Sequence, residues 1–181
     1  LDFQILGPKE EPGQMDAIIV AVKKDVINEY ISVLKDAGFS CAIVDVNSFA
    51  LENIYEVNYE IDPTKNVAIV NVGASTININ VLRGGISVFT RDSAAGSNLH
   101  TEVLQREFNL TYEVAERLKK NEPVEGVSPQ DAFSVMELAS EEIIGEINRS
   151  LEYFHEEIQE IVLSGGCALL RDFPRLVAEK L

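Results

Sequence analysis

Apolar residues in this chain follow two patterns that trade places along its length. One is the short continuous or alternating run; the other is a stripe recurring every three or four residues. The first reads as strand and the second as helix, because side chains alternate faces on a strand and return to one helical face about every 3.6 residues. Residues Lys9 to Gln14, in a stretch with two prolines and a glycine, are expected to form a loop. Ala17 to Val22 is continuously apolar and predicts a buried strand. Val26, Ile27, Tyr30, Ile31 and Leu34 then share one helical face, with Asp25 placed as N-cap and Gly38 at the C-terminal cap. Cys41 to Val46 predicts the next strand, and strand, helix, strand at this spacing belongs to α/β architecture.

Ser48 is expected to cap a second amphipathic helix whose apolar set is Phe49, Ala50, Ile54 and Val57. Asp62-Pro63-Thr64 then breaks the chain and sets the expected domain boundary, residues 1–62 before it and 63–181 after. A meander comes next. Val67 to Val72 turns at Gly73–Ser75 into Ile77 to Leu82, and Arg83-Gly84-Gly85 turns into Ile86 to Thr90. The middle strand alternates Ile77, Ile79 and Val81 with Asn78 and Asn80, one buried face and one polar face. Helices are expected from about Asn98 to Phe108 and from Thr111 to Lys120. A third is capped by Ser128, has Pro129 at its first position, and carries the stripe Ala132, Met136, Ala139, Ile143, Ile147, Leu151 and Phe154. Glu160 to Leu163 predicts a strand ending in Ser164-Gly165-Gly166, and a last helix from near Cys167 is interrupted by Pro174.

Composition narrows what such a fold can do. The chain has 181 residues, 46% of them hydrophobic, enough for one or two small packed domains. Its 30 acidic and 15 basic residues leave a net charge of −15, which repels nucleic acid and anionic headgroups. No apolar run reaches the length of a membrane span, and no signal peptide is visible. Cys41 and Cys167, far apart and without a CxxC or histidine cluster, read as reduced thiols of a cytosolic protein, with a disulfide as the alternative. The chain starts at Leu1 rather than at methionine and ends in a helical pattern, so both ends are expected to be those of a fragment.

Three stretches could carry chemistry. Asn71-Val72-Gly73-Ala74-Ser75-Thr76 forms a hairpin tip whose small residues and hydroxyls leave backbone N–H groups open to a phosphate. Glu116 and Lys119 lie one turn apart on one helical face. Ser164-Gly165-Gly166 follows a strand, where glycines let a flat ring approach the backbone. Each alone has an ordinary structural reading: a turn, a solvated ion pair, a helix entry. His100 and His155 lie far apart and suggest no metal or catalytic pairing. Asp131 to Glu160 carries nine acidic residues against the single basic Arg149, a solvated face or, alternatively, a docking face for a basic segment.

In chain order these stretches resemble the second half of the actin-like ATPase (ribonuclease H-like) fold. In that superfamily the hairpin tip is the second phosphate loop, and a Glu-x-x-Lys helix and a Gly-Gly loop bracket ribose and adenine. The early strand, helix, strand unit resembles the inserted subdomain of the FtsA-like branch. Within it, the chain resembles the PilM family of type IV pilus assembly proteins over nearly its whole length. The likeness rests on the Gln14 to Val26 strand and turn, Val44 to Asn53, Asn71 to Val81, Phe89-Thr90-Arg91-Asp92, Tyr112 to Lys119 and Leu163 to Gly166.

The resemblance implies a cytoplasmic scaffold at the inner face of the bacterial inner membrane. It implies ATP with Mg²⁺ bound in the full-length protein, and docking of the cytoplasmic tail of a PilN-like inner-membrane protein. It assigns phosphate contacts to Asn71, Gly73, Ser75 and Thr76, ribose or base contacts to Glu116 and Lys119, and adenosine contacts to Gly165 and Gly166. Arg91, Gly96 and Asn98 fall in a further stretch of the family pattern. Two departures stand out. No Asp-x-Gly-Ser type first phosphate loop precedes the inserted unit, so half a cleft is expected. Asn71 stands where the superfamily usually has aspartate, which lowers the affinity for a hard cation and implies little or no hydrolysis. The alternatives are an active ATPase or sugar-kinase-type phosphotransferase, an FtsA-like division protein, and a nucleotide-free adaptor.

Overall fold

A computed structural model describes residues 2–8 and 14–181 of the chain. They form two compact units that divide between Val44 and Asp45. The first holds an antiparallel hairpin of β1 (Asp2–Pro8) and β2 (Met15–Val20), followed by α1 (Lys24–Asp36). β2 is the expected apolar strand; β1 is not expected from the pattern, since Pro8 and Gly7 obscure its short run. The expected loop from Lys9 lies outside the described residues except for Gln14.

α1 ends in a Schellman motif. Gly38, at φ +84°, donates to the Lys35 carbonyl (3.0 Å) and Phe39 to the Leu34 carbonyl (2.8 Å). At the other end, Asp25 sits inside the first turn rather than capping it; Lys23 precedes the helix. None of the α1 stripe is buried. The strand expected over Cys41 to Val46 does not form. A strand exists by its ladder, and among the described residues only β1 and β2 pair in this unit.

The second unit is built on a four-stranded sheet. β3 (Asn66–Val72), β4 (Ile77–Arg83) and β5 (Ile86–Ser93) form the expected meander, and β6 (Glu160–Ser164) adds parallel to β3, in the order β5-β4-β3-β6. A parallel partner requires a crossover. Here it consists of α3 (Asn98–Phe108), α4 (Tyr112–Lys119) and α5 (Pro129–Leu151). After β6 come a 3-10 turn, Gly166–Leu169, and α6 (Phe173–Lys180). Pro174 therefore opens a separate helix, where its missing N–H is harmless, and does not interrupt one.

One sheet face, with Ala68, Val70, Val72, Ile77, Ile79 and Val81, packs on α3, α5 and α6 through Leu104, Ile143, Ile147 and Phe173. The α5 stripe is as expected, and Ser128 caps its start by accepting from the Gln130 N–H (3.2 Å). The other sheet face is covered by α2 (Asn47–Asn58), whose Tyr55 and Leu51 pack on Val67, Ile69 and Leu82. The compact units thus group α2 with the sheet, and Asp62-Pro63-Thr64 is a turn inside this unit.

The packed face of α2 is Ser48, Leu51, Glu52 and Tyr55, while Ile54 and Val57 of the expected apolar set are exposed. Ser48 is buried in the first turn and caps nothing; its carbonyl accepts from Asn80 Nδ2 (3.2 Å). The polar face of β4 is accordingly sealed rather than solvated. Asn80 also accepts from the Ser87 hydroxyl (2.6 Å), and burial raises the carboxyl of Glu52, which faces Asn80, above its ordinary range.

Candidate functional site

The site lies where β3, β6 and the start of α3 meet. Val72 pairs with Ile77, so Gly73 to Thr76 form the tip between β3 and β4, closed by a Gly73 N–H donation to the Thr76 carbonyl (3.0 Å). This tip is held from two sides. On one side α3 begins: Ser97 and Asn98 donate to the carbonyls of Gly73 (2.9 Å) and Ala74 (2.8 Å). Gly96 makes this approach possible, since a Cβ there would lie 2.5 Å from the Ala74 carbonyl oxygen. The first N–H groups of α3 are therefore spent on the tip and cannot serve as a helix N-terminal anion site. The N–H groups of Ala74, Ser75 and Thr76 take no part in this pairing.

On the other side lies the Gly-Gly loop. Gly165 has φ +86° and ψ 173°, a region that in effect only glycine occupies. A Cβ on it would come within 2.5 Å of the Val72 carbonyl oxygen and 2.6 Å of Asn71 Oδ1. Asn71 sits directly between neighbours on both sides of the sheet, opposite Asn78 on β4 and Ser164 on β6. Its Nδ2 donates to Asn78 Oδ1 (3.0 Å), and Asn78 Nδ2 donates to Asp92 Oδ1 (2.8 Å).

The third stretch joins through α3. Lys119 is buried, and its ammonium donates to Glu116 and to the Thr101 hydroxyl (2.9 Å), while that hydroxyl also donates to Glu116. The expected solvated ion pair is thus a largely buried one. Partial burial works against ionisation of Glu116, yet the hydrogen bonds from Lys119 and Thr101 outweigh it and hold the carboxyl below its ordinary range. The Lys119 charge also acts on Cys167, just past the Gly-Gly loop, whose thiol burial pushes up to about 12. That thiol and the exposed Cys41 are both free. His100, beside Thr101, is wholly buried: Nε2 contacts Ser140 Oγ (2.9 Å), and Nδ1 has no partner. Burial and the Lys119 charge lower its pKa to about 4.

Charge marks one side of the tip. Beside Ser75 and Gly96, a cleft of about 300 Å³ is lined by Glu102, Glu142 and Glu146 with Arg149. Those carboxylates repel a phosphate. Glu146 is held ionised by the Ser93 hydroxyl (2.6 Å) and Arg149 (2.6 Å). Among the described residues, no group of three or more His, Cys, Asp or Glu side chains could hold a metal ion.

Residues 1–181 match the family model described as type IV pilus assembly protein PilM. The chain belongs to this PilM family. Among solved structures it is similar to the PilM–PilN type IV pilus biogenesis complex, at 24% identity and a TM-score of 0.78, over 99% of this chain and 53% of that one. It is also similar to the ethanolamine utilization protein EutJ from Carboxydothermus hydrogenoformans (19% identity, TM-score 0.70, 94% and 55%). A third likeness is to Ta0583, an archaeal actin homolog, in complex with ADP (16% identity, TM-score 0.60, 73% and 46%). The fold is that of the actin-like ATPases, and the chain spans about half the length of these structures. No helix among the described residues is long and apolar enough to cross a membrane.

Thus the structure brings Gly165 against Asn71 and Val72 at the end of β3, seats α3 on the tip, and ties the Glu116–Lys119 pair to α3 through Thr101. Sequence reasoning missed Thr101, Asn78 and Asp92, whose importance appears only through cross-element contacts. It singled out Gly96, Asn98 and Arg91 without a physical role. The first two seat α3 on the tip. Arg91 instead lies over the Tyr153 ring (4.1 Å) and donates to Ser150 Oγ (3.3 Å), anchoring β5 to the end of α5.

Proposed function

We propose that this chain is part of a cytoplasmic scaffold of the type IV pilus machinery that binds ATP and docks the tail of a PilN-like inner-membrane protein. The observation that carries the reading is the contact between the tip and Gly165, in a chain whose fold matches the PilM–PilN complex along its length. Ser75 and Thr76 would hold phosphates through N–H groups that the tip leaves unused, and Gly73, whose own N–H closes the tip onto the Thr76 carbonyl, would let a phosphate approach the backbone. Gly165 and Gly166 would face the adenosine. Lys119 is committed to Glu116 and Thr101, so Glu116, one-fifth exposed, is the member of the pair that would reach a ribose hydroxyl. Lys119 would hold that carboxylate in place.

Among the described residues no cluster of side chains makes a resident Mg²⁺ site. Asn71 offers one neutral oxygen, and hard cations favour ionised ones. Mg²⁺ would arrive with the nucleotide phosphates, and turnover would be slow. Calorimetric titration of the full-length protein with ATP, then with a peptide of the PilN-like cytoplasmic tail, tests the reading. Saturable binding of both, with a tail affinity that changes when ATP is present, is expected. Absence of ATP binding, or rapid Mg²⁺-dependent phosphate release, would overturn it.

A further inference from the structure

Asn71, Asn78 and Asp92 lie directly opposite one another on β3, β4 and β5, a polar row across three adjacent strands. Two asparagines alone could reverse their amides together and leave either end of Asn71 facing Gly165. Asp92 removes that freedom. An ionised carboxylate only accepts, so Asn78 presents Nδ2 to it and turns Oδ1 toward Asn71. Asn71 must then donate through Nδ2, which leaves its own Oδ1 against Gly165. Asn78 is 7% exposed and Asp92 is exposed, so an inverted amide would set the buried Asn78 oxygen against the carboxylate, two acceptors with no proton between them, relieved only by water on the Asp92 side.

We propose that Asp92, Asn78 and Asn71 form a polarised amide relay that fixes an acceptor oxygen at the junction of the hairpin tip and the Gly-Gly loop. The carboxylate expected at position 71 has in effect moved two strands away, to Asp92. It acts at the junction through the two amides rather than as a charge beside the nucleotide. Asp92 and Asn78 are positioning residues, and the functional part of the inference rests on the nucleotide reading above.

A double-mutant cycle in the full-length protein tests the relay. Asn71→Asp places a second carboxylate where Asn78 offers its oxygen, and should lower Tm by about 2 °C, the loss of one partly buried hydrogen bond in a protein larger than this chain. Asp92→Asn alone should move Tm by about 1 °C or less, since the amide that replaces the carboxylate can still accept. In the double variant the relay can run in reverse: the amide at position 92 donates to Asn78, and Asn78 donates to the carboxylate at position 71. Its Tm should return to within about 1 °C of Asp92→Asn. A single variant that fails to fold while the double variant folds is the same rescue. An Asn71→Asp penalty of equal size in both backgrounds overturns the relay. ATP titrations of all four proteins, with and without Mg²⁺, keep the two readings apart. Coupled stability without nucleotide binding sustains the relay and removes the nucleotide reading. Nucleotide binding with additive stability does the reverse.

Discussion

The buried imidazole of His100 makes the stability of this unit depend on pH in a calculable way. The ring sits edge-on to Phe173 (centroids 6.3 Å apart, 81°), spends Nε2 on Ser140, and faces the positive field of Lys119. Its pKa is lowered from 6.5 to about 4, so the folded protein holds it neutral while the unfolded chain protonates it below about 6.5. Between those values the unfolded state binds the extra proton, so stability is full above about pH 6.5 and falls as the pH drops to about 4. At about 1.36 kcal/mol per pH unit the window corresponds to about 3 kcal/mol, lost most steeply near its middle. The perturbation is His100→Gln, which can still hydrogen-bond Ser140 and does not titrate. Urea unfolding at a series of pH values from about 7.5 to about 4 gives both curves. Carboxylates such as Glu116 and Glu146, also shifted downward, act equally in both proteins and cancel in the difference. The wild type should lose about 3 kcal/mol more than the variant across the window. Parallel curves would refute the reasoning and place the imidazole in contact with water.

Lys119→Met should cost about 2–4 kcal/mol in urea unfolding, because it leaves Glu116 without its countercharge, held only by the Thr101 hydroxyl in a poorly hydrated site. It should also shrink the His100 acid step, since one cause of that step is removed. Gly165→Ala combines a forbidden backbone region with two sub-contact approaches, so a loss of at least about 3 kcal/mol is expected, and an unchanged Tm would contradict the φ of +86°. Gly96→Ala should push the tip off α3, weakening ATP binding in calorimetry more than adenosine binding; equal weakening would mean a general loss of fold. Ser128→Ala should cost about 1 kcal/mol of stability through the lost cap of α5.

Much of the fold is legible in the residues. The meander, α3, α4, α5 and β6 follow from local periodicity and from Ser128-Pro129, because each buries one face on a core that its own pattern specifies. The errors share a cause. Cys41 to Val46 has strand composition but no ladder, and pairing is not a local property. Ile54 and Val57 are apolar but exposed, while Ser48 and Glu52 are packed. The face that α2 presents is chosen by the polar stripe of β4 beneath it. Pro174 reads as an interruption because the 3-10 turn before it is indistinguishable from a first helical turn by composition.

By itself the sequence determined the elements from the meander to β6, the family, and the chemistry of three stretches: a small-residue tip led by a neutral Asn71, a Glu-Lys pair, and a Gly-Gly loop. Only the tertiary structure decided how they act together. Asn71 touches Gly165 because β6 pairs parallel to β3, a contact between stretches far apart in the chain that no periodicity encodes. Lys119 is buried rather than solvated because Thr101, on another helix, completes its coordination. The amide of Asn71 faces one way because register aligns it with Asn78 and Asp92. Local patterns settle the buried face of the sheet's meander and of α5, whereas the packed face of α2, hydrogen-bond direction and charge environment arise only when distant elements meet.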